Sequence, residues 1–204
     1  MISVITGDII NSRKTPPENW LGLLKSELNS YGNSPASWET YGGDTFQFRV
    51  DDPHKALLAA IKLKAAIKMV KSLDVRLAIG IGDITYQSER ITECNGPAFI
   101  FSGEKFSRLK KEKQTLAVKT AWPEFDRTMN LCLRLSTIFM DKWSLKSAEI
   151  IHLRLCNPEA SQEELGQLLG NLRQNAVSTR LSRTHYEELK DLNELYQEKL
   201  MQLL

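Results

Sequence analysis

The 204-residue chain is poor in the residues that build covalent or metal-held frameworks. Its three cysteines, Cys94, Cys132 and Cys156, are far apart and odd in number, and no pair has metal-ligand spacing. This argues against a disulfide or zinc framework and fits a reducing compartment. The three histidines, His54, His152 and His185, are isolated and have no ligand partners near them in sequence. Charge of one sign is also lacking: 27 Lys and Arg face 25 Asp and Glu, a net of +2. Bulk charge therefore says nothing about nucleic acid, and any DNA contact must come from a local patch. No apolar run approaches the roughly 20 residues that span a bilayer. The chain opens directly on Ile2-Ser3-Val4-Ile5, with no basic region before it and no small-residue cleavage site. The expectation is a cytoplasmic protein with no membrane partner. A hydrophobic content of 42% is enough to bury the core of one or two domains.

Residues 2–119 alternate strand and helix signals. A strand at Ile2–Thr6 precedes a helix at Glu18–Tyr31, which Gly32-Asn33-Ser34-Pro35 ends. A hairpin follows, Ser37–Tyr41 and Asp44–Val50 around Gly42-Gly43. Asp52 caps the next helix and Pro53 takes its first position, and the helix runs to Ser72. Leu57, Leu58, Ile61, Ala65 and Lys68 mark one stripe of it. Lys55, Lys62, Lys64, Lys68 and Lys71 are expected to coat the other side. Next come a strand at Asp74–Gly82, a short strand near Arg90–Thr92, a helix at Ala98–Lys111 and a strand at Thr115–Lys119. The order predicts an α+β sandwich of the ferredoxin-like kind, βαββαββα, with helices on one face. From Trp122 strand signals vanish, and helices are expected at Pro123–Lys142, Ser144–Cys156, Ser161–Leu169 and Arg173–Leu203. The division is an α+β domain at 1–120, a connecting helix at 121–143 and an all-α domain at 144–204.

Two acids stand out in the first half. Asp8 follows the apolar run Ser3-Val4-Ile5-Thr6, and Asp44 precedes Phe46-Gln47-Phe48. Carboxylates displayed this way can hold a hard divalent cation such as Mg2+ or Mn2+, and with it a nucleotide ligand. Their ordinary alternative is to cap the first turn and serve the hairpin. Ser12, Arg13, Gly43 and Thr45 lie beside them as candidate phosphate contacts. Arg76 begins a strand and reads as structural. Gly80 and Gly82 mark a bulge or a close approach of backbone or ligand. Lys105, Arg108, Lys110, Lys111 and Lys113 read as a solvated face at a helix end.

Several of these segments together resemble the SatD family, whose fold is similar to a diverged class III nucleotidyl cyclase domain. The carriers are Thr6–Arg13, Gly43–Gln47, Val75–Gly82, and Gly96-Pro97-Ala98-Phe99 with Ser102-Gly103. The resemblance covers about residues 1–120 and implies that Asp8 and Asp44 are the two metal ligands. It also exposes departures. The cyclase base-reading lysine falls at Thr40, the purine-reading acid at Pro97, and the ribose Asn and transition-state Arg at Ile100 and Glu104. Losing a cationic donor where charge develops costs several kcal/mol of transition-state stabilisation. The resemblance thus implies a metal half without the chemistry half.

The tail carries a separate signal. Ser161 and Glu164 form a capping box. Gly170-Asn171-Leu172 is a turn of helix-turn-helix length. In the following helix Ala176, Val177 and Leu181 can pack inward. Arg173, Gln174, Asn175, Ser178, Thr179, Arg180 and Arg183 stay outside, types that bond bases and phosphates, with no acid among them. The pattern resembles sigma-factor-like helix-turn-helix domains and makes double-stranded DNA the expected partner. A helical hairpin used only for packing is the alternative. Tyr186, Leu189, Asn193, Tyr196, Leu200 and Leu203 repeat at spacings of 3 and 4, a seam with a central Asn suited to a homodimer or to packing on the connecting helix.

Three function classes remain. The first is a DNA-binding transcriptional regulator of the SatD type with a catalytically degenerate cyclase-like half. The second is an active nucleotidyl cyclase or phosphotransfer enzyme. The third is a protein–protein adaptor. Thr40, Pro97, Ile100 and Glu104 argue against the second, and the tail arginines favour the first over the third.

Overall fold

The computed structural model describes residues 1–204. Its first strand, β1 (Ile2–Ile10), runs four residues further than the apolar pattern suggests. It is central, so both of its edges are paired and the ladder carries Gly7 and Asp8 along with it. Then come α1 (Leu21–Asn29), β2 (Trp38–Tyr41), β3 (Thr45–Val50), α2 (Ala56–Lys68), β4 (Asp74–Gly82), α3 (Pro97–Glu112) and β5 (Leu116–Lys119). The rest is helical: α4 (Pro123–Met140), α5 (Leu145–Cys156), α6 (Gln162–Leu168), α7 (Gln174–Ser182) and α8 (Tyr186–Met201). The molecule is mixed α/β, with a five-stranded mixed sheet in the order β2-β3-β1-β4-β5. Only β4 and β5 are parallel; the other neighbours are antiparallel.

Strand alternation sends successive side chains to opposite faces. On one face Ile5, Ile9, Phe46, Phe48, Leu77 and Ile79 join α1 and α2 in the main core. That core continues without a break into α4, α5 and α8 through Phe125, Met129, Leu133, Ile151, Leu189 and Tyr196. On the other face α3 covers β4, β5 and part of β1, with Val4 against Ala98 and Phe99, and Ala78 against Leu109. The sheet is therefore covered on both faces, against the one-sided expectation. Gly80 and Gly82 explain how α3 sits so close. A Cβ on Gly80 would lie 2.2 Å from the Ala98 carbonyl, and one on Gly82 2.7 Å from Pro97. The close approach is a helix, not a ligand.

Four other expectations change. The strand near Arg90–Thr92 is a 3-10 turn, Ile91–Glu93, because Ile91 plugs the small cluster around Val4 and Phe99. The helix at 173–203 is broken at His185, which adopts φ 57. There Thr184 is fully buried, and its carbonyl accepts from the Trp143 indole at 3.2 Å. The α8 seam is consumed within the chain, since Leu189, Tyr196 and Leu200 belong to the main core and the Tyr196 hydroxyl donates to the Pro53 carbonyl at 2.8 Å. Of the two readings of the seam, packing on the connecting helix is the one seen, with Tyr196 against Phe125 of α4 at 5.8 Å between ring centroids. Finally, Lys64 and Lys68 do not coat a solvated face.

α2 is buried nearly all round, and Lys64 is fully enclosed. Its Nζ lies 2.7 Å from both Asp74 Oδ1 and Asp141 Oδ1. Lys68 reaches Asp74 Oδ2 at 3.0 Å and donates to the Asp141 carbonyl at 2.8 Å. Thr115 donates to Asp141 as well, at 2.7 Å. α4 also closes the sheet. Val118 donates to the Asn130 side chain at 2.9 Å, and the Asn130 amide returns a bond to the Val118 carbonyl at 2.8 Å. Asp74→Ala removes the acid shared by two buried ammoniums. It is expected to lower unfolding free energy by about 3–5 kcal/mol, read from the urea midpoint. Adding Lys64→Met should recover part of that loss, because the most enclosed charge then disappears; no recovery would mean that packing and not charge dominates.

Candidate functional site

The sheet face left bare by α3 is polar. β1 register places Thr6 opposite Gln47 and Ala78, and Asp8 opposite Thr45 and Arg76. Gln47 donates to the Thr6 hydroxyl at 3.1 Å, and Thr6 and Ser102 share a hydrogen bond of 3.0 Å at the margin of α3. One rung on, Arg76 grips Asp8 with both ends of its fork, Nε at 2.8 Å from Oδ1 and Nη2 on Oδ2. Both side chains are mostly buried, 21% and 17% exposed. The guanidinium is held in its charged form more firmly than usual. The hydrogen bond to Asp8 is the main cause, partial burial opposes it, and the charges of Asp8 and Asp44 reinforce it. One organic cation therefore feels both of the acids expected to hold a metal.

Asp44 lies in the hairpin turn, where Gly42 and Gly43 take φ 61 and 95. Such positive values are open to glycine at no steric cost. Its carboxylate accepts from the Ser12 hydroxyl, and its carbonyl accepts from Ile9 N–H at 3.1 Å. Ser12, Arg13, Gly43 and Asp44 come together with Pro17 and Trp20 around a cleft of about 250 Å3. Asp8 and Thr45 do not line this cleft; they stand on adjacent strands of the sheet face beside it. Arg13 is exposed and free of ion pairs. Among all residues, no cluster of three or more His, Cys, Asp or Glu is arranged to hold a metal ion.

The departure positions have their own occupations. Thr40 pairs with Phe46 and so faces the core side, leaving Glu39 and Tyr41 on the polar side. Glu39 is nearly buried, bonded by Arg90 and by the Thr92 hydroxyl at 2.6 Å. Pro97 is packed against Gly82, and Ile100 is half exposed. Glu104 is held by Lys119, whose hydrogen bond keeps its carboxyl below the usual range. Arg76, Glu39 and Arg90 were not picked out from sequence as site residues. The one signal for Arg76 was its place early in the strand that follows the lysine-rich helix.

The second candidate is the tail. α5, α6 and α7 share a small core of Ile150, Leu165, Val177 and Leu181. The Ser161–Glu164 capping box forms in full. Gly170 and Asn171 take φ 78 and 61, and Leu172 N–H returns to the Gly166 carbonyl at 2.9 Å. Gly166 permits the turn, since a Cβ there would lie 2.2 Å from the Leu172 carbonyl. Arg173, Gln174, Asn175, Ser178, Thr179 and Arg183 are exposed, while Ala176 is half buried. Arg180 differs from the expectation: its side chain is 22% exposed and leans to Glu149 of α5 at 3.9 Å. No family model matches the chain, and neither a curated protein nor a solved structure does.

Two tests follow from this geometry. Arg76→Met leaves Asp8 without its countercharge and removes the cation that Asp44 also feels, and is expected to cost about 2 kcal/mol of stability. Millimolar Mn2+ should restore more of the melting temperature in that variant than it adds to the native protein; an equal response in both would show that Asp8 and Asp44 do not share a cation. The Glu164 carboxyl is bonded by the backbone and hydroxyl of Ser161, which lower its pKa. Its folded value lies below its unfolded one, so its contribution is present above the unfolded value and is lost as pH falls through the folded one. A carboxyl NMR titration should place its inflection below that of an ordinary glutamate, and Ser161→Ala should move it back up.

Proposed function

We propose that the chain is a DNA-binding regulator of the SatD type, with a catalytically silent cyclase-like half. The observation that carries the reading is the acid-free outer face of α7, where Arg173, Gln174, Asn175, Ser178, Thr179 and Arg183 are exposed over buried Val177 and Leu181. A three-helix unit with a capped first reading helix and a tight turn presents such a face to the major groove. Arginine suits guanine edges and phosphates, and Gln and Asn suit adenine. Arg180, committed to Glu149, serves the packing of α5 on α7 more than the DNA.

The ferredoxin-like reading of the first half draws support from strand order. β2-β3-β1-β4 is antiparallel throughout, with β5 added outside it. Silence in catalysis draws support from three occupations: Arg76 on Asp8, Lys119 on Glu104, and an exposed Ile100 where a polar group would have to act. A Mg2+ or Mn2+ nucleotide would have to displace the Arg76 fork from Asp8, and the cleft at Ser12, Arg13 and Asp44 is where its phosphates fit best. A homodimer reading two half-sites would need a surface other than the α8 seam.

The test is a selection of bound fragments from random double-stranded DNA, followed by anisotropy titrations at several salt concentrations. Replacing Arg173 and Arg183 together by Ala is expected to weaken binding and to reduce the slope of log K against log salt by about 2, one for each phosphate no longer neutralised. Arg180→Ala should change affinity much less. Failure to enrich any sequence, with no salt-dependent binding at about 50 mM salt, would reject the reading.

A further inference from the structure

We propose that the outer face of α4 binds a second copy of this chain, helix against helix in the antiparallel sense. α4 has two apolar faces. Phe125, Met129, Leu133 and Met140 are buried in the main core. Leu131, Leu135 and Ile138, spaced by 4 and 3, lie on the opposite side and are 51, 58 and 59% exposed. Apolar side chains exposed singly are ordinary, but three on one helical stripe make a patch, and such patches mark interaction sites. The charges at the ends of the patch indicate what covers it. Glu124 stands on the same stripe, two turns before Leu131, with its side chain 81% exposed and bridged only within its own helix, by Arg127 at 2.8 Å. Lys142 stands one turn past Ile138 and is exposed. Its N–H bonds back to the Phe139 carbonyl at 3.0 Å, so the helical path extends that far.

The stripe is symmetric about Leu133. Leu131 and Leu135 are equally far from it, as are Thr128 and Ile138, and Glu124 and Lys142. A two-fold axis makes residue i meet j wherever j meets i. Placed at the level of Leu133, it sets Leu131 on Leu135, Thr128 on Ile138 and Glu124 on Lys142, each twice. An antiparallel pair thus closes the apolar patch and gives each terminal charge an opposite partner. A parallel pair would set Glu124 against Glu124 and Lys142 against Lys142, and like charges across an interface are costly. The one like-charge approach in the antiparallel pair is at Arg134, which stands to one side of the stripe, exposed to water and screened by salt. A helix of this length offers about 27 Å of contact. That is less than the roughly 800 Å2 per partner of a standard interface, so a dissociation constant on the order of 10 μM is expected. The pairing would bring the second α7 that a reader of two half-sites needs. Only that use of it rests on the DNA-binding reading, and the pairing itself is measured without DNA.

The test is sedimentation velocity of the full chain from about 1 to about 300 μM, a range that brackets the expected constant. The native protein is expected to pass from monomer to dimer. Leu135→Ser should raise the dissociation constant by about tenfold or more, since both copies lose a leucine from the contact. It should melt like the native monomer, because Leu135 is exposed. Glu124→Lys and Lys142→Glu chains should each self-associate more weakly than the native chain. An equal mixture of the two should form a heterodimer about as tight as the native dimer, because every Lys then faces a Glu. That restoration reports the antiparallel register, and a folding defect could not produce it. A native chain still monomeric at about 300 μM, an association unchanged by Leu135→Ser, or a mixture no tighter than its components would each overturn the proposal. A monomer that instead binds phosphatidylglycerol vesicles, and loses that binding in Leu135→Ser, would assign the stripe to a lipid surface and equally overturn it.

Discussion

The charge of Lys64 is the constraint from which much of the architecture follows. An ammonium with no exposed surface must be paired or neutralised, since desolvation alone costs several kcal/mol. Asp74 and Asp141 supply the pairing from two distant parts of the chain. Asp74 begins the second central strand. Asp141 ends the long helix that leads into the tail. Two residues beyond Asp141, Trp143 bonds to Thr184, which separates α7 from α8. A short series of buried contacts thus runs from the sheet to the helix with the acid-free face. The sequence division at residues 120 and 143 falls inside one continuous core, so the two halves are neighbours in space as well as in sequence.

What could be read from sequence was local. β4 has the bounds that its Ile and Val alternation indicates. Asp52 caps and Pro53 starts a helical turn, and the Ser161 capping box forms, because each needs partners only two or three residues away. The mistakes have the opposite character. Lys64 and Lys68 looked solvated because lysine usually is, and the acids that hold them stand on other elements, Asp74 on β4 and Asp141 after α4. Ile91 had the composition of a strand and is used as a plug. The helix break at Thr184 depends on Trp143, 41 residues earlier. Asp8 stood out in the sequence, but its partner Arg76, 68 residues on, did not. Gly166 was missed because its role is to make room for a carbonyl that only the folded turn brings near.

Arg76 changes the meaning of the acid pair. A guanidinium delivers positive charge without coordination geometry, and its fork fits a carboxylate side-on. It can balance Asp8 and Asp44 but cannot polarise a phosphoryl oxygen as a divalent ion does. With Arg76 in place the face holds charge in balance and keeps its shape. Arg173 and Arg183, at the two ends of α7, are exposed and have no such partners.

Asn130 has a further consequence. Its side-chain amide imitates a strand, taking one donor and one acceptor of Val118 on the outer edge of β5. An open edge with free N–H and C=O groups is a template for another chain. Proteolytic loss of everything after residue 120 would therefore leave more than a protein without its tail. It would strip the cover from β5 and from the apolar faces of α2 together, and the remaining fragment would be expected to self-associate through its edges. In that sense α4 occupies, at Val118, the edge that β5 would otherwise offer to another chain.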